Sequence, residues 1–209
     1  MNRYKTVFKE ASAVQVIEKS RFIAHVKPVE TKEEADRFIA DIRSLNKGAN
    51  HNVPAMVLGE KSELVWATDD GEPQGTAGAP IVQMLVKEGI TNTAIVVTRY
   101  FGGIKLGTGG LVRAYTGTAK LGLELAGICQ VKEITALTVK IDYTYLDKVR
   151  SVSAGEKFNI NEIVYEDKVS LKIVAEPENI NRVKSLLSDI SSGNAAVISE
   201  NQGLVKIPQ

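Results

Sequence analysis

Alternating apolar and polar positions predict strands along the first third of the chain. The alternation runs through residues 6–17 and 21–29, which a short polar turn separates, and these segments are predicted to be neighbouring strands. Residues 51–58 and 63–68 have the same character and predict a hairpin. Pro54 has no backbone N–H, so its strand is predicted to lie at a sheet edge or to be irregular.

Apolar residues spaced three or four positions apart predict two helices beside these strands. Thr31 and Glu34 form a capping box, and the helix that they begin is predicted to end at Lys47 and Gly48. Its apolar stripe consists of Ala35, Phe38, Ile39, Ile42 and Leu45. A second, short helix is predicted over residues 80–86.

The stretch 91–127 combines a buried strand, a glycine-dense turn and a long helix. β-Branched residues without a polar break predict the strand over residues 93–98, and the helix is predicted to begin near Thr108, whose hydroxyl can cap it. The glycines of the turn are Gly102, Gly103, Gly107, Gly109 and Gly110. Because they leave backbone amides uncovered at the positive end of a helix dipole, they predict an anion-binding site.

Basic side chains accompany the glycine turn. They are Arg99, Lys105, Arg113 and Lys120, and no Asp or Glu occurs over residues 89–123 to neutralise them locally. The alternative is a turn whose glycines serve tight packing, next to an ordinary soluble helix surface. Glycine density, charge and helix start coincide here, which favours a site for a ligand or a partner.

Helical spacing divides the side chains of this long helix between two faces. Arg113, Gly117 and Lys120 share a face that is predicted to be solvated or binding. Leu111, Tyr115 and Ala119 share the face that is predicted to enter the core.

A second unusual segment, residues 68–80, carries three carboxylates in front of a run of small residues. Asp69, Asp70 and Glu72 could hold Mg²⁺ or position a water molecule. A plain turn at Asp70 and Gly71 explains the same acids without any ligand. Both interpretations stay open at this point.

The last third of the chain predicts a different kind of domain. Beyond residues 127–133 the pattern indicates strand 136–142, helix 145–154, strands 157–165 and 169–175, helix 178–191 and strand 196–207. This βαββαβ order is the plan of a ferredoxin-like domain. We therefore predict domains at residues 1–130 and 134–209.

Composition restricts the class of protein. A chain of 209 residues with 44% hydrophobic and 24% charged residues is ordinary for a soluble globular protein. The first ten residues lack the apolar core of a signal peptide, no apolar run is long enough for a bilayer, and the one cysteine, Cys129, excludes an internal disulfide. We expect a cytoplasmic protein without a membrane partner. The first 132 residues carry 17 Lys and Arg against 14 Asp and Glu, so a polyanion is expected to prefer this part.

Several catalytic and binding motifs are missing. Gly107 is followed by Thr108 rather than by the Lys of a Walker-type phosphate loop, and no acidic residue completes a dinucleotide fingerprint. With one cysteine and two histidines, His25 and His51, a zinc site of imidazole and thiolate ligands is not expected.

Four segments resemble the YigZ/IMPACT protein family. They are SRFIA at residues 20–24, the pair His51 and Asn52, DDGEPQGTAGAPI at residues 69–81, and the long block at residues 91–120. The match extends over most of residues 1–127, and the C-terminal part resembles the smaller second domain of bacterial members. Family members usually place Cys or a similar residue and Tyr after the HN pair, whereas this chain has Val53 and Pro54, which argues against chemistry at His51.

The resemblance implies a fold and a field of function. It implies an α+β protein, with an N-terminal two-layer α/β domain similar to a ribosomal-protein domain, to domain four of elongation factor G and to small-molecule kinases with a glycine-rich phosphate loop. The C-terminal domain resembles domain five of elongation factor G. Eukaryotic members of the family regulate translation through a ribosome-associated kinase activator.

Our leading hypothesis is a non-enzymatic module that binds RNA or the ribosome and modulates translation, with the translation machinery as its partner. Arg99, Lys105, Arg113 and Lys120 would contact phosphates, and Tyr100 and Phe101 would stack on a base. The full candidate site is Arg99, Tyr100, Phe101, Gly102, Gly103, Lys105, Gly107, Thr108, Gly109, Gly110, Arg113 and Lys120.

The alternative is an enzyme that acts on a phosphorylated small molecule with Mg²⁺. In this hypothesis the amides of Gly107–Gly110 hold phosphate, and Asp69, Asp70 or Glu72 binds the metal ion or acts as base. The leading hypothesis includes no cofactor and no metal. A third hypothesis is a protein-docking surface, and the sequence leaves the oligomeric state open.

Overall fold

The protein forms two compact units of mixed α/β structure. A computed structural model describes residues 2–208. One unit comprises residues 3–131 with 206–208, and the other comprises residues 132–205 with Asn2. Because helices and strands occur in both units, the α+β class is confirmed.

The described residues contain ten strands and five α-helices. The strands β1 to β10 are Asn2–Val7, Ala11–Ile17, Ser20–Pro28, His51–Leu58, Leu64–Ala67, Thr93–Tyr100, Ile128–Ile141, Phe158–Tyr165, Val169–Ala175 and Ala196–Pro208. The helices α1 to α5 are Lys32–Leu45, Gly78–Glu88, Gly107–Ala126, Tyr143–Ser153 and Ile180–Ile190. A short 3₁₀ turn, Pro177–Asn179, precedes α5. None of the described helices combines the length and the apolarity that crossing a bilayer requires.

The N-terminal unit is built on an antiparallel sheet with the strand order β2-β3-β6-β4-β5. Ala94 and Val96 of β6 face the core under α1, whereas Ile95 and Val97 face the larger core under α2 and α3. Because side chains alternate along a strand, the sheet carries helices on both faces. The unit therefore has three layers, and in this respect it differs from the two-layer arrangement that the resemblance implies.

The central strand β6 follows its pattern closely. Residues 93–98 form a strand as predicted, and all of them are buried because β6 pairs with β3 on one side and β4 on the other. The prediction for Pro54 is wrong about the edge, since β4 lies between β6 and β5. Pro54 is tolerated because it lies one residue beyond the last β4–β5 pair, Ala55 with Ala67.

The first predicted strand is two strands in the structure. β1 ends at Val7 and β2 begins at Ala11, with the exposed residues 8–10 between them. The capping box at α1 is confirmed, because the Glu34 amide donates to Thr31 Oγ1 at 3.2 Å. The Glu34 carboxylate accepts at 2.8 Å from the amide of Glu30, the residue before the N-cap, so it holds the chain that leads into the helix.

The C-terminal unit has the predicted βαββαβ order. β7 pairs with β9 and β9 with β8, while β10 pairs with β7. The order β10-β7-β9-β8 is that of a ferredoxin-like sheet. Alternate residues of β7 and β9 pack with α4 and α5 in one core. β7 begins at Ile128, eight residues before its predicted start, and Gln130 Nε2 donates to the Tyr4 carbonyl oxygen of β1 at 2.9 Å.

Candidate functional site

The glycine turn connects the end of β6 to the start of α3, and its first amides donate hydrogen bonds to side chains of neighbouring segments. The amide of Gly102 donates to Ser20 Oγ at 3.1 Å, and that of Phe101 donates to Asn50 Oδ1 at 2.8 Å. A Cβ at Gly102 would lie 2.1 Å from the carbonyl carbon of Lys19, so only glycine fits there. The turn is therefore attached to the β2–β3 hairpin.

The start of α3 is open to solvent. The helix begins at Gly107, its N-cap is Leu106, and no side chain of residues 3–208 caps it. The prediction that Thr108 caps the helix is wrong, because Thr108 lies inside the first turn. Gly107, Thr108 and Gly109 are exposed. The first amides of α3 thus keep their hydrogen-bonding capacity at the positive end of the helix dipole.

Two of the four predicted phosphate ligands are engaged elsewhere. Arg99 is buried, and its guanidinium lies 2.7 Å from Glu72 Oε1. Its predicted contact with phosphate is therefore corrected, since a buried ion pair is not available to a ligand. Lys120 pairs with Glu88 at 3.3 Å, one residue outside the acid-free run. Both cations are therefore neutralised by carboxylates from outside the acid-free run.

Lys105 and Arg113 remain exposed beside the start of α3. Among the residues that the structure describes, no carboxylate forms an ion pair with either of them. Both line a groove of about 470 Å³ between the end of β2 and α3, together with Gln15, Ile17, Glu18, Ile104, Leu106, Gly110, Ala114 and Gly117. The basic character of the turn therefore rests on these two residues and on cations from outside the predicted stretch.

Lys19 and Arg21 are such cations, and sequence reasoning missed them. Lys19 is exposed in the two-residue β2–β3 turn, whose backbone packs against Gly102. Arg21 lies opposite Tyr100 in the β3–β6 ladder, with its guanidinium carbon 4.4 Å from the centre of the tyrosine ring. Arg21 belongs to the SRFIA segment that carries the family resemblance, but only the β3–β6 register shows that this residue lies beside the turn.

The two predicted aromatic residues differ in accessibility. Tyr100 is half-buried, and its hydroxyl donates to Asn46 Oδ1 at 3.0 Å. Phe101 is 46% exposed, so its side chain is accessible from solvent. The Arg99 guanidinium carbon lies 5.3 Å from its ring centre and supports it from the protein side.

The acidic segment is a folded turn in which Asp69 has a structural function. Its carboxylate accepts hydrogen bonds from the amides of Gly75, Ala77 and Gly78 at 2.7, 3.0 and 2.9 Å. Partial burial disfavours the charged carboxylate, but these three amides outweigh that effect and lower the pKa of Asp69. The long tail of small residues thus wraps around one carboxylate.

Asp70 and Glu72 bind different partners. Asp70 accepts from the Asn52 amide at 2.6 Å and from Arg43 at 2.9 Å. Glu72 accepts from Arg99 and from the hydroxyl of Tyr115, each at 2.7 Å. Burial, reinforced by the hydrogen bond to Glu72, raises the pKa of Tyr115, so this hydroxyl remains a donor.

The three carboxylates do not converge on a metal site. Within residues 2–208, no group of three or more His, Cys, Asp or Glu side chains has the arrangement of metal ligands. The structure therefore gives no geometric support to Mg²⁺ at Asp69, Asp70 and Glu72, because each carboxylate is occupied by donors of the protein.

His51 and Asn52 connect the acidic turn to the sheet. His51 Nδ1 lies 2.8 Å from the Asp70 carbonyl oxygen, which can only accept, so Nδ1 carries the proton. Its Nε2 faces Glu72 Oε1 at 3.8 Å. Asn52 accepts from the buried Thr98 hydroxyl at 2.8 Å. Segments that are distant in the sequence thus share one polar network under the glycine turn.

Comparison with known proteins identifies both parts of the chain. The Impact N-terminal domain family matches residues 18–123, and a domain of unknown function, DUF1949, matches residues 139–194. The IMPACT family member YvyE of Bacillus subtilis (strain 168) is 38% identical over 197 residues, which cover 94% of this chain and 91% of that protein. The IMPACT family member YigZ of Escherichia coli (strain K12) is 31% identical, covering 90% of this chain and 93% of that protein.

A solved structure has the same overall fold. The crystal structure of a hypothetical protein is 30% identical to this chain and covers 95% of this chain and 98% of its own, with a TM-score of 0.61. The Impact N-terminal domain match covers about half of the chain, and the two bacterial relatives are matched over nearly their full length. The chain therefore belongs to the IMPACT family.

Proposed function

We propose that this chain binds RNA on the ribosome through its glycine turn, modulates translation in this way, and catalyses no reaction. The proposed contact region, which we call the glycine-turn surface, consists of Lys19, Arg21, Phe101, Lys105 and the amides of Gly107–Gly110, with Arg113 at its margin. The observation that carries the proposal is the exposed start of α3 beside Lys105, for which the described part of the chain provides neither a side-chain cap nor an ion-pair partner.

The chemistry of this surface suits a nucleic-acid backbone. Free helix amides and cations bind phosphate oxygens without regard to sequence, and an exposed aromatic ring provides a face for an unpaired base. Tyr100 has a different function from the predicted one in this proposal: its ring holds Arg21 in place and leaves stacking to Phe101. The eukaryotic members of the family that this chain resembles regulate translation, which supports ribosomal RNA as the target.

The small-molecule enzyme has weaker support. It needs a carboxylate that is free to bind Mg²⁺ or to accept a proton near the phosphate. Asp69, Asp70 and Glu72 instead accept hydrogen bonds that hold the acidic turn and the sheet together. We therefore place the function in binding rather than in catalysis.

Charge reversal tests the phosphate contacts. The variant Lys19→Glu with Lys105→Glu should raise the Kd for a labelled single-stranded RNA of about 20 nucleotides at least tenfold and should flatten the dependence of log Kd on log salt. Fluorescence anisotropy from low to physiological salt measures both quantities.

A matched variant controls for net charge. Lys47→Glu with Lys61→Glu changes the same formal charge at exposed positions of the same unit, outside the glycine-turn surface. It should leave the Kd within about threefold of the wild-type value. Equal losses in the two double variants, or binding of the wild type that is insensitive to salt, would contradict the proposal.

Removing an exposed ring tests the stacking contact. Phe101→Ala should weaken RNA binding by about 1–3 kcal/mol, because that is the contribution of a stacked base. Phe8 is exposed to a similar degree, 49% against 46%, but lies beside Gly127 at the other end of α3. Phe8→Ala should leave the Kd unchanged, and similar effects of both variants would rule out a stacking function of Phe101.

A further inference from the structure

One edge of the N-terminal sheet has none of the features that usually keep strands from pairing. Among the described strands, β2 pairs with β3 alone, so its outer row of N–H and C=O groups has no strand beside it. Its sequence, ASAVQVI, contains no charged residue and no proline, and its register with β3 runs without a bulge. Isolated edge strands normally carry such features because they otherwise attract further strands.

Apolar side chains are exposed on both sides of this edge. On the sheet face away from α3, Val14 is 59% exposed and Val16 is 67% exposed. On the other side, Leu121 and Leu125 of α3 are 38% and 56% exposed. The β2 edge is therefore flanked by exposed apolar side chains on each face, which the described chain leaves uncovered.

The strand and the helix run in opposite directions at this edge. Ile17 lies with Leu106 and Gly110 along the groove, Gln15 donates to Thr118 Oγ1, and the Lys9 amide donates to Ala126 O. A strand rises about 3.3 Å per residue and a helix about 1.5 Å, so one step back along β2 equals about two steps forward along α3. Gln15 Nε2 also donates to the Ala114 carbonyl oxygen at 3.5 Å, so Gln15 lies about level with residue 116, midway between Ala114 and Thr118. Val14, one residue before Gln15, is therefore about level with Thr118.

We propose that β2 pairs antiparallel with β2 of a second copy of this chain, around a two-fold axis at Val14. The strand is self-complementary in this register, because Val14 faces Val14 of the other copy and each Val16 faces a Ser12. α3 packs on β2 and β3 alike. With strands about 4.8 Å apart, the two α3 axes would lie about 10 Å apart, which is the normal packing distance of helices.

Side-chain size and charge agree with this arrangement. Gly117, at the level of the axis, has no side chain and permits the close approach of two helices. The groove beside Ala114 and Gly110 would receive Leu121 and Leu125 of the other copy. Arg113 precedes the axis level by five residues and Glu124 follows it by six, so each Arg113 would face a Glu124 across the axis. This charge complementarity favours a second copy over a different partner.

The proposal goes beyond RNA binding and does not depend on it. The Arg113–Glu124 pair forms between copies, whereas the RNA test changes Lys19 in the β2–β3 turn and Lys105 in the glycine turn. Self-association is measured without RNA, so a failure of either proposal can be recognised independently of the other.

Two opposite charge reversals test the proposed axis. Arg113→Glu alone places two carboxylates opposite each other at both contacts, and Glu124→Arg alone places two guanidinium groups there. Each variant should raise the dimer Kd of the full chain about tenfold or more in sedimentation equilibrium. When the two variants are mixed in equal amounts, both contacts pair opposite charges, so native mass spectrometry should show mainly the 1:1 heterodimer.

Controls address folding and other partners. Lys47→Glu should leave the dimer Kd unchanged, and thermal unfolding should confirm that each variant is folded. A wild type that is monomeric at all concentrations up to several hundred micromolar would overturn the proposal, and so would mixing that yields homodimers and heterodimers in statistical ratio. A monomer whose β2 amides shift on addition of an unrelated extended peptide would assign the edge to another protein and equally overturn it.

Discussion

Glu72 is the carboxylate on which the buried polar network of the N-terminal unit converges. It accepts from Arg99 and Tyr115 and lies near His51, and all of these groups come from different elements. The network holds the acidic turn against the end of β6, directly below the glycine turn. A buried carboxylate is stable only while its donors remain, so each donor should contribute measurably to folding.

Tyr115→Phe measures one of these donors. The variant should reduce the free energy of unfolding by about 1.5–3 kcal/mol, because a hydrogen bond to a buried carboxylate is lost. Tyr100→Phe removes a hydrogen bond to the neutral amide of Asn46 and should cost about 0.5–1.5 kcal/mol. Urea unfolding monitored by circular dichroism compares the two, and an equal or smaller effect at Tyr115 would contradict the described network.

Asp69 gives the N-terminal unit a pH-dependent contribution to stability. The pKa of Asp69 is lower in the folded protein than its ordinary value of 3.8, because three amides stabilise the charged form against partial burial. This stability is present above pH 3.8 and is lost as the pH falls through the lower folded value. Asp69→Asn should therefore be less stable than wild type at pH 7, and the difference should shrink below pH 3.8. Urea midpoints between pH 7 and pH 2.5 test this, and a constant difference would contradict it.

The residue types at this site could be predicted from the sequence, but the ion pairs and hydrogen bonds that join them could not. Glycine density and the basic stretch indicated where a site lies, and Lys105 stayed exposed as expected. Arg99 became a core residue because β6 directs alternate side chains to the face that α3 covers, where Glu72 is its partner. Which face a residue takes depends on strand register and helix placement, and no local pattern encodes either.

At the scale of elements, the glycine turn is rigid at one end and open at the other. Gly102 packs against the Lys19 and Ser20 backbone, whereas Gly107 and Gly109 meet only solvent or the Arg113 side chain. Two glycines of the same turn thus have different functions: one permits the approach of two backbone segments, and the others expose amides at the helix start. This difference can be measured as a difference in the sign of a stability change.

Substitution by alanine separates the two functions. Gly102→Ala should destabilise the protein by about 1–3 kcal/mol or more, because the added Cβ would lie 2.1 Å from the Lys19 carbonyl carbon. Gly109→Ala should be neutral or stabilising by up to about 1 kcal/mol, because the site is helical and spacious. Thermal unfolding of both variants tests this, and a stable Gly102→Ala protein would show that the close approach is not required.

Local signals predicted most elements well, and tertiary pairing accounts for the exceptions. The capping box at Thr31 and the end of α2 before Gly89 depend on residues next to each other in the chain, so pattern reasoning could find them. The separation of β1 from β2 and the internal position of Pro54 depend on which strands become neighbours. α3 begins at Gly107, one residue before its predicted start at Thr108, because the glycine turn and not a capping hydroxyl determines where the helix begins.

At the scale of the whole molecule, each unit has a core of its own. Phe22, Ile95 and Leu123 belong to the core of the N-terminal unit, whereas Leu137, Leu171 and Val183 belong to that of the C-terminal unit. The ferredoxin-like plan could be predicted because its element order is distinctive. The layering of the N-terminal unit could not, because the resemblance implied helices on one face, and only the register of β4 and β6 shows that both faces are apolar.

The proposed binding to the ribosome concerns the complete chain, and cosedimentation with purified ribosomes across a salt series tests it most directly. The wild type should pellet with ribosomes at low salt and be released as salt increases, because phosphate contacts depend on counterion release. Lys19→Glu with Lys105→Glu should remain in the supernatant under conditions where Lys47→Glu with Lys61→Glu still pellets. If the wild type fails to pellet at low salt, or if both double variants pellet equally, the glycine-turn surface does not bind the ribosome.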